Sequence, residues 1–361
     1  MIIGSILLLT IAIILVLTIL SLIAAPFVLH LPQFGRNPSG ARLERILQSR
    51  NYLKNKFVNR TLEGQKDITL KQYLKIARKF IFGKRRRITP PQPLEMVKRD
   101  LKHLDNGKNL YVWFGHSSYL LSIHGTTLLV DPTFCCGAPF PLINRPFPTT
   151  NQYTPEEMPD SIDFVIITHD HYDHMDYNSI LRLKERTVRF VCPLGVGAHL
   201  EHWGVAPEKI IEMDWEESFS PKPGWEIHCL PAQHFSGRAF KRNPTLWASF
   251  LLRTPYGSIF AGGDGGYGPH FREIGQRFPD ISLAILENGQ YDEHWSHLHT
   301  MPRQLGQEAL DLGAKELITI HHSKYALAHH PWDEPLRNEE AVRDGLHIPL
   351  ITAQLGEITE V

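Results

Sequence analysis

Phe164-Val165-Ile166-Ile167-Thr168-His169-Asp170-His171-Tyr172-Asp173-His174 is the stretch that decides the fold. An apolar run of strand character feeds a segment of the form His-x-His-x-Asp-His. Side chains alternate along extended backbone, so His169 and His171 point the same way and can chelate one ion. Asp173 and His174 follow where the chain turns, within reach of a second ion. Three imidazoles and a carboxylate suit two Zn2+ ions, and Mn2+ or Fe2+ accept the same donors. Two close metals suit hydrolysis by a bridging hydroxide.

Such a site needs more ligands than one loop supplies, and the chain downstream offers them. His234, after the run ending Pro231-Ala232-Gln233, can complete a three-histidine set with His169 and His171. Asp264 stands at a strand end inside Gly262-Gly263 and Gly265-Gly266, where the backbone can approach closely enough for its carboxylate to bridge both ions. His321 ends the strand Leu317–Ile320 and can complete the second set with Asp173 and His174. His299 precedes a helix.

The formal net charge of zero hides an uneven distribution. Residues 36–103 hold 19 Lys/Arg against 5 Asp/Glu, leaving 19 against 33 in the rest, so a basic arm adjoins an acidic body. The four cysteines form no Cys-x-x-Cys, which argues against a disulfide framework or a cysteine-rich zinc site and fits a reducing compartment. Met1 to Leu29 carry no charged side chain. This exceeds the roughly 20 residues that cross a bilayer core. It lacks the basic n-region and short apolar core of a secretory signal, so an uncleaved single-pass anchor is expected. The first charges beyond it are Arg36 and Arg42, and Arg45 and Arg50 follow with Glu44 the single acid among them, which predicts a cytoplasmic body. The arm, with Lys84-Arg85-Arg86-Arg87, is expected to contact anionic headgroups.

Three regions follow: an anchor over 1–30, a basic and mostly helical juxtamembrane segment over 31–104, and a hydrolase domain over 105–361. The pattern from Pro38 to Phe82 is helical and amphipathic, and Leu94 to Leu104 reads as another helix. Beyond it, strand-like runs begin at Leu110, Tyr119, Thr127, Phe190, Ile227, Ala248, Ser258, Leu283 and Leu317. Helix-like segments run from Tyr177, Val196, His270 and Arg303. Interleaved in this way they predict an α/β body of two sheets with helices outside.

The order of motifs resembles the metallo-β-lactamase superfamily. Within it, Gly115-His116-Ser117-Ser118, Asp131-Pro132-Thr133-Phe134, His174-Met175-Asp176-Tyr177 and Ala261 to Tyr267 are similar to the group of phospholipases D that hydrolyse N-acylphosphatidylethanolamine. The resemblance implies a four-layer αββα sandwich with two zinc ions at its edge. It assigns His169, His171 and His234 to one ion, Asp173, His174 and His321 to the other, and Asp264 to both. It further implies a membrane phospholipid substrate, with the hydroxide attacking phosphorus. Asp131 is expected to fix a ligand imidazole. His299 is expected to bind a phosphate oxygen or protonate the leaving group. His116 is expected to support a ligand or line the mouth, Asp170 and Asp176 to serve as turn acids, and His199 to be a surface or capping residue. The paired Gly262-Gly263, the segment Glu287-Asn288-Gly289-Gln290 and the neighbour His322 depart from that pattern. The alternative is a hydrolase of the same fold acting on a soluble phosphorylated or lactone substrate. No nucleic-acid partner is expected, because the basic residues adjoin the anchor and no basic strand interleaved with aromatics appears. A homo-oligomer is compatible with the sequence.

Overall fold

The computed structural model describes residues 2–61, 69–82, 87–345 and 348–361. Lys84, Arg85 and Arg86 of the second basic cluster lie outside them. Helix α1 (Ile2–Leu29) is long and apolar enough to cross a membrane, and none of Thr10–Leu29 is buried against the body. The basic segment departs from the expected helical arm. It forms a short helix α2 (Gly40–Leu47), a hairpin of β1 (Tyr52–Leu53) and β2 (Lys56–Phe57), and helix α3 (Leu70–Phe82). Residues 94–104 are not helical. Their backbone bonds outward instead, Leu94 with Pro148 and Thr150, and Val97 with Leu355, so tertiary pairing overrides local propensity.

Two sheets form the body. One contains β3 (Asn109–Trp113), β4 (Tyr119–Ile123), β5 (Thr126–Val130), β6 (Ile162–Ile166), β7 (Thr187–Pro193) and β8 (Ile210–Met213), in that order, with β15 (Ile358–Glu360) beside β3. Helices α4 (Tyr177–Leu183) and α5 (Gly197–His202) provide the crossovers its parallel strands β6, β7 and β8 require. The other sheet runs β14-β13-β12-β11-β10-β9. Its strands are β9 (Ser218–Phe219), β10 (Glu226–Leu230), β11 (Ser249–Thr254), β12 (Gly257–Ala261), β13 (Ile281–Glu287) and β14 (Glu316–Ile320). Helices α6 (His270–Arg277) and α7 (Pro302–Leu312) connect its parallel strands, and α8 (Glu334–Gly345) packs on α7.

Period-two alternation sorts the second sheet's side chains between two cores. Phe250, Leu252, Ile259, Ile285 and Ile318 face the core shared with the first sheet. Leu251, Phe260, Ala284 and Leu317 face α6 and α7, against Phe271, Ile274, Leu305 and Ala309. Both faces of the sheet are buried, and the layers read αββα.

The arm is stitched to this body rather than standing off it. Arg42 pairs with Glu201 at 2.9 Å and Glu212 at 2.5 Å, Arg45 with Glu217 at 2.7 Å, and Arg60 with Glu216 at 2.8 Å. Trp203 Nε1 donates to the Pro32 carbonyl at 2.7 Å, and Arg238 Nη2 to that of Gln33 at 2.8 Å. Much of the arm's charge is thus answered by the acidic body.

Candidate metal centre

The carboxyl ends of parallel strands point to one edge, where open α/β sheets place their sites. Asp131 follows β5, Thr168 and His169 follow β6, Asp264 follows β12, Glu287 ends β13 and His321 follows β14. The sheets are joined there. His116 N donates to the His322 carbonyl at 2.8 Å, and His321 N to the His116 carbonyl at 3.0 Å. His116, Asp131 and His321 have positive φ values of 54°, 44° and 71°. A non-glycine residue in that region costs about 1–3 kcal/mol and persists where its surroundings over-determine it.

Two sets of donors face each other. His171 Nδ1 lies 2.8 Å from His169 Nε2 and 3.2 Å from His234 Nε2. His174 Nε2 and His321 Nε2 are 3.4 Å apart, and Asp173 Oδ2 is 3.7 and 3.6 Å from them. Asp264 Oδ2 sits between the sets, 3.1 Å from His174 and His321, 3.7 Å from His234 and 4.0 Å from His169. All seven are buried except His171, which is partly exposed. His322 turns away, toward Glu339 at 3.3 Å.

This cluster fits a pair of cations on its own chemistry. His234 Nδ1 meets the Leu298 carbonyl at 2.9 Å, and His174 Nδ1 meets Asp131 Oδ2 at 2.7 Å. Both partners only accept, so each Nδ1 donates, and each Nε2 is the nitrogen left to face the centre, where it can offer its lone pair to a cation once any proton on it is displaced. His321 Nδ1 lies 3.3 Å from Glu287 Oε2 in the same sense. Thr168 Oγ1 donates to Asp131 Oδ2 at 2.7 Å and accepts from His169 Nδ1 at 3.0 Å. Among the described residues Asp264 Oδ1 is buried without a hydrogen-bond partner. Lone pairs and an orphaned carboxylate oxygen gathered in one buried volume call for positive charge.

Comparison with known proteins places this geometry. The family model described as "Beta-lactamase superfamily domain" matches residues 126–322. The chain belongs to this superfamily. It is a metal-dependent hydrolase of the metallo-β-lactamase fold. An uncharacterized protein of Mycobacterium tuberculosis is 33% identical over 86% of this chain and 84% of its own. An N-acyl-phosphatidylethanolamine-hydrolyzing phospholipase D 1 of Caenorhabditis elegans is 27% identical over 74% of this chain and 80% of its own. Among solved structures, a metallo hydrolase of Ignicoccus hospitalis shares the fold with a TM-score of 0.54 at 18% identity, over 70% of this chain and 98% of that one.

Within this superfamily frame the remaining site residues find places. Asp131 clamps His174 and Thr168 together. His299 Nδ1 lies 2.8 Å from Glu287 Oε2 and 4.0 Å from Asp264 Oδ2. His116 Nε2 lies 2.8 Å from Asp173 Oδ2. Asp176 caps α4 through Asn178 N and Ser179 N, as a turn acid would. Asp170 is buried and accepts from Gly237 N and Thr245 Oγ1. His199 is also buried, against expectation, because it links Asp170 to the arm's Arg36 N at 3.0 Å. The doubled glycine has a reason: Gly263 has φ +64°, and a Cβ there would meet Thr168 Cβ at 2.9 Å.

Sequence reading missed two supports. Glu287 joins His299 and His321 through one oxygen, and its other oxygen accepts from Thr300 N at 2.7 Å and Gly265 N at 3.2 Å. A glutamate at a strand end shortly before His294, His297 and His299 was the available signal. Asn59, from the arm, brackets His234: its Nδ2 donates to the His234 carbonyl at 2.8 Å and its Oδ1 accepts from His234 N at 3.0 Å. Nothing in the sequence pointed to Asn59.

Electrostatically the sets differ. Burial holds His169, His171 and His234 below the usual histidine range. Burial would also lower His174, but the carboxylates of Asp264, Asp131 and Asp173 outweigh it and push it up to about 10. The same balance raises His321, with Asp264 foremost among the carboxylates. A cavity of about 290 Å³ opens over the cluster, lined by His171, Asp173, Asp264, His299 and His321 and walled by Ile76, Phe235, Trp295, Leu298, Leu327, Arg242 and Gln290.

Proposed function

We propose that this chain is a membrane-anchored zinc phosphodiesterase that hydrolyses N-acylphosphatidylethanolamine or a related phospholipid in the manner of a phospholipase D. The observation that carries the reading is the cavity. Its floor is the donor cluster and its walls are mainly apolar, a combination suited to a charged headgroup with a lipid body. The similarity to the nematode phospholipase D and the apolar helix α1 support it.

His169, His171 and His234 would hold one ion, Asp173, His174 and His321 the other, and Asp264 both. Bound divalent metals supply charge neutralisation for phosphoryl oxygens and lower the pKa of water. The chain's own residues supply the rest. Glu287 fixes the His299 ring by its Nδ1 and leaves Nε2 free, from which the ring in its imidazolium form would give a proton to the departing alkoxide and become neutral. Arg242 on the cavity wall offers a cation to the phosphate. Ile76, Phe235 and Leu327 exclude water along the lipid body. The net reaction adds water across the bond between phosphorus and the alcohol oxygen, giving phosphatidate and an N-acylethanolamine.

The test is mass spectrometry of the full chain, zinc-loaded and reconstituted in vesicles containing N-acylphosphatidylethanolamine, with His169→Ala as control. Metal-dependent release of both products is expected. With metal confirmed bound, no release would sink the lipid substrate and favour a soluble phosphorylated or lactone one.

A further inference from the structure

The arm's cations divide into two kinds. Arg42, Arg45 and Arg60 are consumed in ion pairs with the body. Three cations of α3 are not: Lys71, Lys75 and Arg78 are exposed, and among the described residues none of the three forms an ion pair. They recur at i, i+4 and i+7, so they share one face of the helix. Leu70, Leu74 and Ala77 recur with the same spacing on an adjoining face and are exposed too, Leu70 at 75% and Leu74 at 64%. The helix contains no acidic residue. Large leucines left in water beside a cationic stripe are the signature of a helix that lies in a bilayer interface.

Position sharpens the choice of partner. Ile76 of α3 lines the metal cavity together with Phe235 and Arg242. The loop holding those two residues also carries Phe240, 88% exposed, and Arg238, which grips the Gln33 carbonyl just beyond the end of α1. One loop therefore links the exit of the apolar helix, an exposed aromatic and the cavity wall to which α3 contributes. An acidic protein partner would match the cations but not the exposed leucines beside them. An anionic lipid surface matches both.

We infer that α3 docks in the interface of the anionic bilayer that α1 spans, placing the cavity mouth against the lipid. This rests on the membrane-anchored reading above but not on the identity of the substrate. The cationic face supplies attraction at roughly tenfold or less in partitioning per residue. The leucines supply burial in the headgroup region.

The experiment uses the full chain with Leu74→Trp, reconstituted in phosphatidylcholine vesicles with or without phosphatidylglycerol, and bromine-labelled acyl chains as quencher. Emission is read as the difference from the parent chain. Val188→Trp, exposed at the start of β7 and so at the sheet end remote from the site, serves as control. The expected result for Leu74→Trp is a blue-shifted, quenched added emission, more strongly quenched with phosphatidylglycerol. The added emission of Val188→Trp should stay unquenched. Changing Lys71, Lys75 and Arg78 together to Gln should remove the dependence on phosphatidylglycerol. An unquenched Leu74→Trp signal in vesicle-inserted protein would overturn the inference, as would failure of the chain to insert. A quenched Leu74→Trp signal without lipid hydrolysis would leave the docking standing and remove only the substrate.

Discussion

His169 and His234 are oriented by a hydroxyl and a backbone carbonyl, while His174 and His321 are oriented by the carboxylates of Asp131 and Glu287. The two halves of one centre are therefore tuned in opposite directions. The first keeps its imidazoles neutral and ready to bind. The second, without metal, holds protons that an incoming ion must displace. Metal uptake is coupled to proton release wherever ligands start protonated, so that coupling should concentrate in the second half.

The severest test removes what the halves share. Asp264→Ala should abolish turnover and strip metal from both, read by elemental analysis alongside activity. Undiminished turnover would refute the bridging role. Next come the supporting carboxylates. Glu287→Gln and Asp131→Asn should each weaken the second half by roughly 10–100-fold in metal affinity. Chelator competition would resolve this as loss of one ion before the other. Simultaneous loss would erase the distinction.

Acid and base should separate the halves in metal-free protein. His174 has a folded pKa raised from 6.5 to about 10. Its stabilising contribution is present in full below pH 6.5 and fades as pH rises toward 10. His169, His171 and His234 are depressed, so the folded state takes up fewer of their protons, and their burial costs stability as pH falls below 6.5. Thermal unfolding in chelator should give a maximum near neutrality with losses on both sides. A monotonic profile would mean that one half dominates. The smallest effect is expected from Asn59→Ala. It should cost about 1–2 kcal/mol by removing hydrogen bonds to buried backbone, loosening the first half and leaving the second unchanged, again measured by unfolding and ion-by-ion chelation.

The donor cluster was legible because its members sit at strand ends or in the loop one strand feeds, behind apolar runs, where two-residue alternation and chain direction constrain the geometry. Asp131, Asp264 and His321 could be placed this way, and so could most of the strands from Tyr119 to Ile320, though not the short β8 and β9. Residues held by distant backbone could not. The stretch 94–104 carries a helix-like pattern, yet its amides find partners at Pro148 and Leu355, which no local rule anticipates. Asn59 is equally opaque, since its role depends on a contact 175 residues away in sequence. The arm was legible only in part. Its charge was plain, but not that ion pairs with Glu201, Glu212, Glu216 and Glu217 fold residues 42–60 onto the body.

The stitches at Pro32 and Gln33 begin within four residues of the last residue of α1. A long flexible leader would let the body tumble and would present its cavity to a bilayer only part of the time. This attachment works like a mast set into a deck: with α1 in a membrane, the heading of the body is largely fixed before any substrate arrives. Loosening the joint between Leu29 and Pro32 with a few glycines would leave every side chain of the centre untouched. The molecule would then have to find its orientation anew at each encounter, and if the proposed lipid is its substrate, turnover on that lipid should fall while that on a dissolved ester holds steady.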